Sequence, residues 1–321
     1  MNKTSIESFL NPDGSQGYTC NSKTGCRHHT DGLCRGGGFP CYACRLANGR
    51  LRDRYIGNPD IALPKEMEGL DLHTEDVADQ LHDPFWPRWW PERLEQIRKR
   101  KKPSGIFLND MSDWMGDYWP TGWTELELEV IRGCPQHRFY TVTKQPQNLA
   151  KFSPFPDNCW VGATATNTGM FVDAMDKLYK IKAKIIYLSF EPLLEWHIEP
   201  DVLYGDLVAQ QVNWLIIGAC TGGKPELIEL NKKYPELTLM PYGPAVFGMR
   251  WTLQPKLEWV QEIVESADRA GVAVFLKDNL RPLFKGRLFA DESWAFDETI
   301  IENQVTGDQQ ANWKLRQEMP E

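Results

Sequence analysis

Six short apolar runs, Gly105–Leu108, Phe139–Thr143, Cys159–Ala165, Lys184–Phe190, Trp214–Gly218 and Val272–Leu276, are each flanked by polar or turn-forming residues. Between them, apolar residues recur at three- and four-residue spacing over Thr124–Arg132, Gly169–Ile181 and Pro255–Ala270. The first pattern predicts buried strands and the second predicts amphipathic helices. This alternation leaves a chain few ways to fold, because crossover connections through helices make the strands run parallel, in a sheet that is either open or closed into a barrel. A length of 321 residues suits one elaborated α/β domain as well as two smaller ones.

Parallel sheets of this kind bind ligands beyond the C-terminal ends of their strands. Those ends are polar here: Asn109-Asp110-Met111-Ser112-Asp113, Thr143-Lys144-Gln145, Thr164 with Thr166 and Asn167, Glu191, and Lys277-Asp278-Asn279. Any one of them reads equally as a turn or a helix cap. Five together predict a pocket. Residues 56–103, rich in Pro, Trp and charge, and residues 221–254, lying between a strand and a helix, read as insertions into a domain spanning 1–285. Residues 286–321 read as a polar, peripheral C-terminal tail.

Four of the eight cysteines fall between Cys26 and Cys44, with two histidines and Gly36-Gly37-Gly38 among them. No apolar run reaches the ~18 residues of a membrane span, and the first residues lack a signal-peptide core, so a cytoplasmic location without membrane attachment is expected. In a reducing compartment, clustered thiols favour metal or cluster ligation over disulfides. Cys41 and Cys44 make one zinc knuckle, and Cys26 and Cys34 are spaced too openly for a second, although Cys20, His28 or His29 could supplement it. Three cysteines with a glycine-rich turn also suit an iron–sulfur cluster. On the residues alone, zinc, cluster and inert thiols all remain open. The net charge of −8 argues against a general electrostatic grip on nucleic acid, yet Arg45, Arg50, Arg52 and Arg54 leave room for a local basic groove.

Asn21-x-x-Thr24-Gly25-Cys26 and Cys41-Tyr42-Ala43 bracket this loop. Downstream follow Ile106–Asp113, Thr141-Val-Thr-Lys144, Trp160-Val-Gly162, Leu188–Leu194 and Phe275-Leu-Lys277. In this order, over about residues 20–280, these motifs resemble the phage Gp37/Gp68-type, or DUF5131, group. That group is similar to the radical S-adenosylmethionine (radical SAM) superfamily and to its spore photoproduct lyase branch.

The resemblance implies a partial, open parallel β/α barrel of the radical SAM type, with insertions. It implies an enzyme with a 4Fe–4S cluster on Cys26, Cys34 and Cys41, spaced Cys-x7-Cys-x6-Cys; a competing register closes the loop with Cys41 and Cys44, with Cys26 or Cys34 first. SAM would be the second cofactor, cleaved to a 5′-deoxyadenosyl radical that abstracts hydrogen from a substrate. Lys144 would approach the SAM carboxylate, and Asn109, Ser112, Asp113, Thr164, Asn167 and Glu191 would line the cofactor site. Glu191, Lys277 and Tyr42 are the candidate catalytic side chains, with simple packing the plainer role for Tyr42. The implied partners are a reductant protein such as flavodoxin or ferredoxin and a nucleic-acid base or nucleotide as substrate. The rival expectation is a zinc-binding, non-enzymatic module that recognises nucleic acid or protein.

Overall fold

The computed structural model describes residues 1–63, 67, 73, 75, 77–242, 250–284, 294–302 and 309–320. It divides into two compact units: residues 1–164 with 173–186, and residues 165–172 with 187–321. The sheet strands are β1 (Asn2–Lys3), β2 (Tyr18–Cys20), β3 (Gly105–Leu108), β4 (Arg138–Thr143), β5 (Cys159–Thr164), β6 (Ile185–Phe190), β7 (Trp214–Ile217) and β8 (Ala273–Leu276).

In the first unit the order is β1-β2-β3-β4-β5. The β1–β2 pairing is antiparallel and the other three are parallel, with Cys20 opposite Leu108, Ile106 opposite Phe139 and Ala163 opposite Thr143. β3 and β5 are buried at every position, as strands covered on both faces must be. In the second unit β6, β7 and β8 pair in parallel, with Trp214 between Tyr187 and Ala273. The mixed α/β class and the parallel pairing agree with the sequence expectation. All six predicted strands form, each within a residue or two of the expected bounds.

The helices follow their apolar periodicity. The Thr121–Gly133 helix buries Thr124, Glu127, Leu128 and Ile131, one stripe at three- and four-residue spacing. The Leu257–Ala270 helix buries Leu257, Val260, Ile263, Val264 and Ala267, and it stops at Gly271, whose φ of +68° supplies the left-handed C-terminal turn. Its partner in the second unit is the Pro200–Ala209 helix. No described helix is long and apolar enough to cross a membrane.

Within residues 56–103, Arg88–Trp89 pairs with Lys23–Thr24. The Arg88 guanidinium is fully buried and donates to the carbonyls of Asn58, Gln80, Leu81, Asp83 and Trp86, so one side chain gathers this excursion by its backbone. Within residues 221–254, Cys220–Gly222, Arg250–Gln254 and Thr238–Tyr242 make a small antiparallel sheet; residues 243–249 of this expected insertion lie outside the described residues. In the C-terminal segment Phe296–Glu302 pairs with Gln309–Leu315. Residues beyond it lie along β8, with Leu276 N–H on Arg316 O at 2.8 Å and Glu318 N–H on Val274 O at 2.9 Å.

Candidate functional site

The cysteine loop of the first unit starts at a backbone crossing that only glycine allows. Gly25 has φ +85°, and a Cβ there would fall 2.5 Å from the Phe85 carbonyl oxygen and closer still to that of Trp86. Its N–H donates to Met111 O at 2.9 Å, and the next N–H, of Cys26, donates to Phe85 O at 3.0 Å. The loop then folds as a three-stranded ribbon of His29–Thr30, Leu33–Cys34 and Phe39–Pro40. Gly37 and Gly38, at φ +116° and +70°, close its second turn, so two of the three consecutive glycines serve a hairpin. Cys41 then caps the Tyr42–Asn48 helix, its sulfur facing the Cys44 N–H at 3.5 Å.

Three of the loop's four sulfurs, those of Cys26, Cys34 and Cys41, act on Lys144, and Cys26 and Cys41 also pack against the apolar cluster that holds Cys44. Burial works against charge on Lys144, yet its ammonium is held above the usual lysine range by Cys34, Asp113, Cys41 and Cys26 around it. The Lys144 ammonium also lies 5.8 Å from the centre of the Phe39 ring. Cys44 instead sits in an apolar cluster with Ala43, Ala47, Tyr55, Phe85 and Met111, and its sulfur accepts from Asn48 Nδ2 at 3.4 Å. Burial pushes the thiols of Cys26 to about 12 and Cys44 to about 11, and raises that of Cys41. Thiols so placed ionise only with a compensating positive charge or metal. Among the described residues no three His, Cys, Asp or Glu side chains converge on a point that would hold a single metal ion. A cubane cluster makes no such demand, since each thiolate takes a different iron.

The polar end of β3 is bound into the fold. Asn109, at φ +62° and buried, accepts from Lys23 N–H at 2.9 Å and donates to Glu127 Oε1 at 2.8 Å. Behind it Lys23 and Glu127 form an ion pair of 2.9 Å with both side chains fully buried. Ser22 Oγ and Trp114 Nε1 donate to Glu127, and Lys23 donates to Thr124 Oγ1, so the pair is satisfied on several sides. Asp113 ties the ends of two strands together. Its Oδ1 accepts from Thr143 Oγ1 and from Met115 N–H at 3.1 Å, and its Oδ2 from Lys144 N–H at 2.8 Å. Ser112 pairs by backbone with Gly25, and its buried Oγ has no partner among the described residues. Tyr42 is exposed and donates its hydroxyl to Asp110 O. Asp110 itself accepts from Asn21 Nδ2 at 2.6 Å, and burial raises its carboxyl above the ordinary range.

Thr164 ends β5, buried, as the last residue of the first unit's main segment. In the second unit Asn167 Oδ1 accepts from Met170 N–H at 2.9 Å, capping the Thr168–Leu178 helix. Lys277 Nζ donates to Glu191 Oε1 at 2.5 Å, a pair with the two side chains 11% and 31% exposed. Gly218 makes room for it: a Cβ there would stand 3.1 Å from Glu191 Cγ and 3.3 Å from Lys277 Cδ. Asn279 clamps this end by exchanging two hydrogen bonds with the Ala219 backbone.

Sequence reasoning overlooked the Lys23–Glu127 pair and Tyr118, a buried phenol against which Cys26 packs. The signal for Glu127 was a carboxylate on the same stripe as Leu128 and Ile131. No comparable signal pointed to Tyr118.

A family described as a protein of unknown function (DUF5131) matches residues 16–231. The chain belongs to the DUF5131 family. Among solved structures, this DUF5131 chain is similar to a spore photoproduct lyase mutant, with 13% identity and a TM-score of 0.51 over 86% of this chain and 80% of that one. A spore photoproduct lyase complexed with dinucleoside spore photoproduct matches with 12% identity and a TM-score of 0.48, over 80% and 75% of the two chains. At this identity the likeness is one of fold. No curated protein sequence matches the chain.

Proposed function

We propose that this chain is a radical SAM enzyme of the partial-barrel type, with a 4Fe–4S cluster on Cys26, Cys34 and Cys41. The observation that carries the reading is the gathering of Cys26, Cys34 and Cys41 near Lys144, with Cys44 buried in the apolar cluster against which Cys26 and Cys41 also pack. The donor set suits a cluster that leaves one iron open to a ligand. The unpartnered buried hydroxyl of Ser112 also suits a loop whose full complement of acceptors includes an inorganic group.

When bound, the cluster and SAM would supply one-electron cleavage of the sulfonium and a carbon radical that takes hydrogen from substrate. The protein's own share is to hold and shield. Lys144 would offer its ammonium to a carboxylate, kept in place by the Asp113 clamp on its backbone. Asn109 and Ser112 would shape the end of β3 around the loop, and Tyr42 would cover it from the solvent side. Thr164 and Asn167 would supply polar contacts to SAM. Glu191, paired with Lys277, would take ribose or substrate hydroxyls.

For substrate we favour a nucleic-acid base or nucleotide. The exposed Arg45, Arg50, Arg52 and Arg54 follow the loop directly, and the guanidiniums of Arg93 and Arg54 lie 3.9 and 6.0 Å from the Trp90 ring centre. Cations interleaved with an indole suit phosphates and stacked bases. A flavodoxin or ferredoxin would deliver the electron.

Anaerobic reconstitution with iron and sulfide, followed by metal analysis, tests the cluster. A brown protein with about four irons per chain is expected. A colourless protein holding one zinc would instead favour a non-enzymatic binding module. Binding to a labelled oligonucleotide that weakens steeply with salt would support the substrate class.

A further inference from the structure

Tyr118 is buried at 5% exposure, and its hydroxyl has no partner in ordinary hydrogen-bonding geometry among the described residues. The polar atom it approaches is the Cys26 sulfur, which packs against the cluster of Ala62, Tyr118 and Trp119. The ring is held there by the backbone. A Cβ on Gly116 would fall 2.6 Å from the Tyr118 hydroxyl and closer still to the ring, so any side chain at 116 displaces the phenol. Asp117 pairs with His28 at 3.2 Å, and the His28 N–H faces the Cys26 sulfur at 3.2 Å. The turn at 116–118 therefore grips the Cys26–His28 segment at two points.

We infer that Tyr118 is a positioning residue for the cluster, donating its hydroxyl to the Cys26 thiolate and so raising the potential at which the cluster accepts its electron. The inference rests on the proposed function. A thiol is a weak acceptor and a metal-bound thiolate a stronger one, so the unused donor is explained by the loaded form. A donor to a ligand sulfur favours the more negative, reduced cluster, and hydrogen bonds to sulfur are one of the levers that set iron–sulfur potentials.

The test is a redox titration of the anaerobically reconstituted protein, followed by electron paramagnetic resonance, for wild type, Tyr118→Phe, Gly116→Ala and Trp123→Phe. Trp123 packs against the same aromatic cluster, so its variant reports lost packing without loss of the donor. Tyr118→Phe is expected to shift the ratio of reduced to oxidised cluster about tenfold toward oxidised at fixed potential, ~59 mV more negative for one electron. Gly116→Ala, which keeps the phenol but moves it, should shift the same way, and Trp123→Phe should not. If Tyr118→Phe fails to fold, Gly116→Ala alone decides. Iron-loaded wild type and variants with one common potential would overturn this inference while leaving the proposed function intact. Wild type that binds no iron would overturn both.

Discussion

Asp113 Oδ2 accepts the backbone N–H of Lys144 at 2.8 Å, so the turn after β3 fixes the residue that leaves β4. Asp113 Oδ1 takes the Thr143 hydroxyl and the Met115 N–H as well. Asp113→Ala leaves these partly buried donors without an acceptor, a cost of about 1–3 kcal/mol for each that water does not reach. The urea midpoint should fall with little change in slope, and SAM affinity should fall in the variant even where it remains folded. A midpoint equal to that of wild type would show that the clamp carries no load.

Breaking the buried pair should cost more. Glu127→Gln leaves the fully buried Lys23 without its counter-charge, with an expected loss of about 3–5 kcal/mol. Replacing both, as Lys23→Met with Glu127→Leu, removes the unpaired charge but leaves Ser22 Oγ, Asn109 Nδ2 and Trp114 Nε1 without their acceptor, so the double variant should recover only part of that loss. Chemical denaturation of the two single variants and the double variant measures the coupling.

How legible this architecture was in the sequence depended on whether neighbours along the chain carried the information. β3, β5, β6 and β7 announce themselves because each is a largely apolar run buried at every position, and β4 and β8 depart from that at only one or two positions. β1 and β2 escape notice because Asn2–Lys3 is exposed and Tyr18–Cys20 is three residues long. The polar strand ends were visible as a set, but their division of labour was not. Asn109 and Asp113 look like ligand contacts in sequence, whereas in the structure their polar groups bind Lys23, Glu127, Thr143 and Lys144. Tyr118 meets Cys26 only through the packed turn at Gly116, a contact that no local pattern encodes.

The burial of Asp110 sets the sign of a pH dependence. Burial raises its carboxyl above the ordinary value, so its favourable contribution is fully present below the unfolded pKa and is lost as pH rises through the raised folded one. Asp110→Asn keeps an acceptor for Asn21 and removes the ionisation. The variant should melt higher than wild type near neutral pH, with the gap closing as pH falls toward the unfolded carboxyl value of about 3.9. A gap that widens in acid would contradict this assignment.

The two cysteine registers make opposite predictions for Cys44. Cys44 lies in the apolar cluster, so Cys44→Ala should lower thermal stability and leave iron binding intact. Cys34→Ala should abolish cluster assembly. Iron and sulfide analysis after anaerobic reconstitution of the two variants distinguishes them, and loss of iron in Cys44→Ala alone would reverse the register.

The most direct test of the account is single-turnover chemistry. The reconstituted protein is reduced with dithionite in the presence of SAM, and the products are separated and quantified. Wild type is expected to yield 5′-deoxyadenosine, and Cys26→Ala, Cys34→Ala and Cys41→Ala none. A wild-type protein that carries a full cluster and binds SAM, yet yields no 5′-deoxyadenosine with any low-potential reductant, would contradict it.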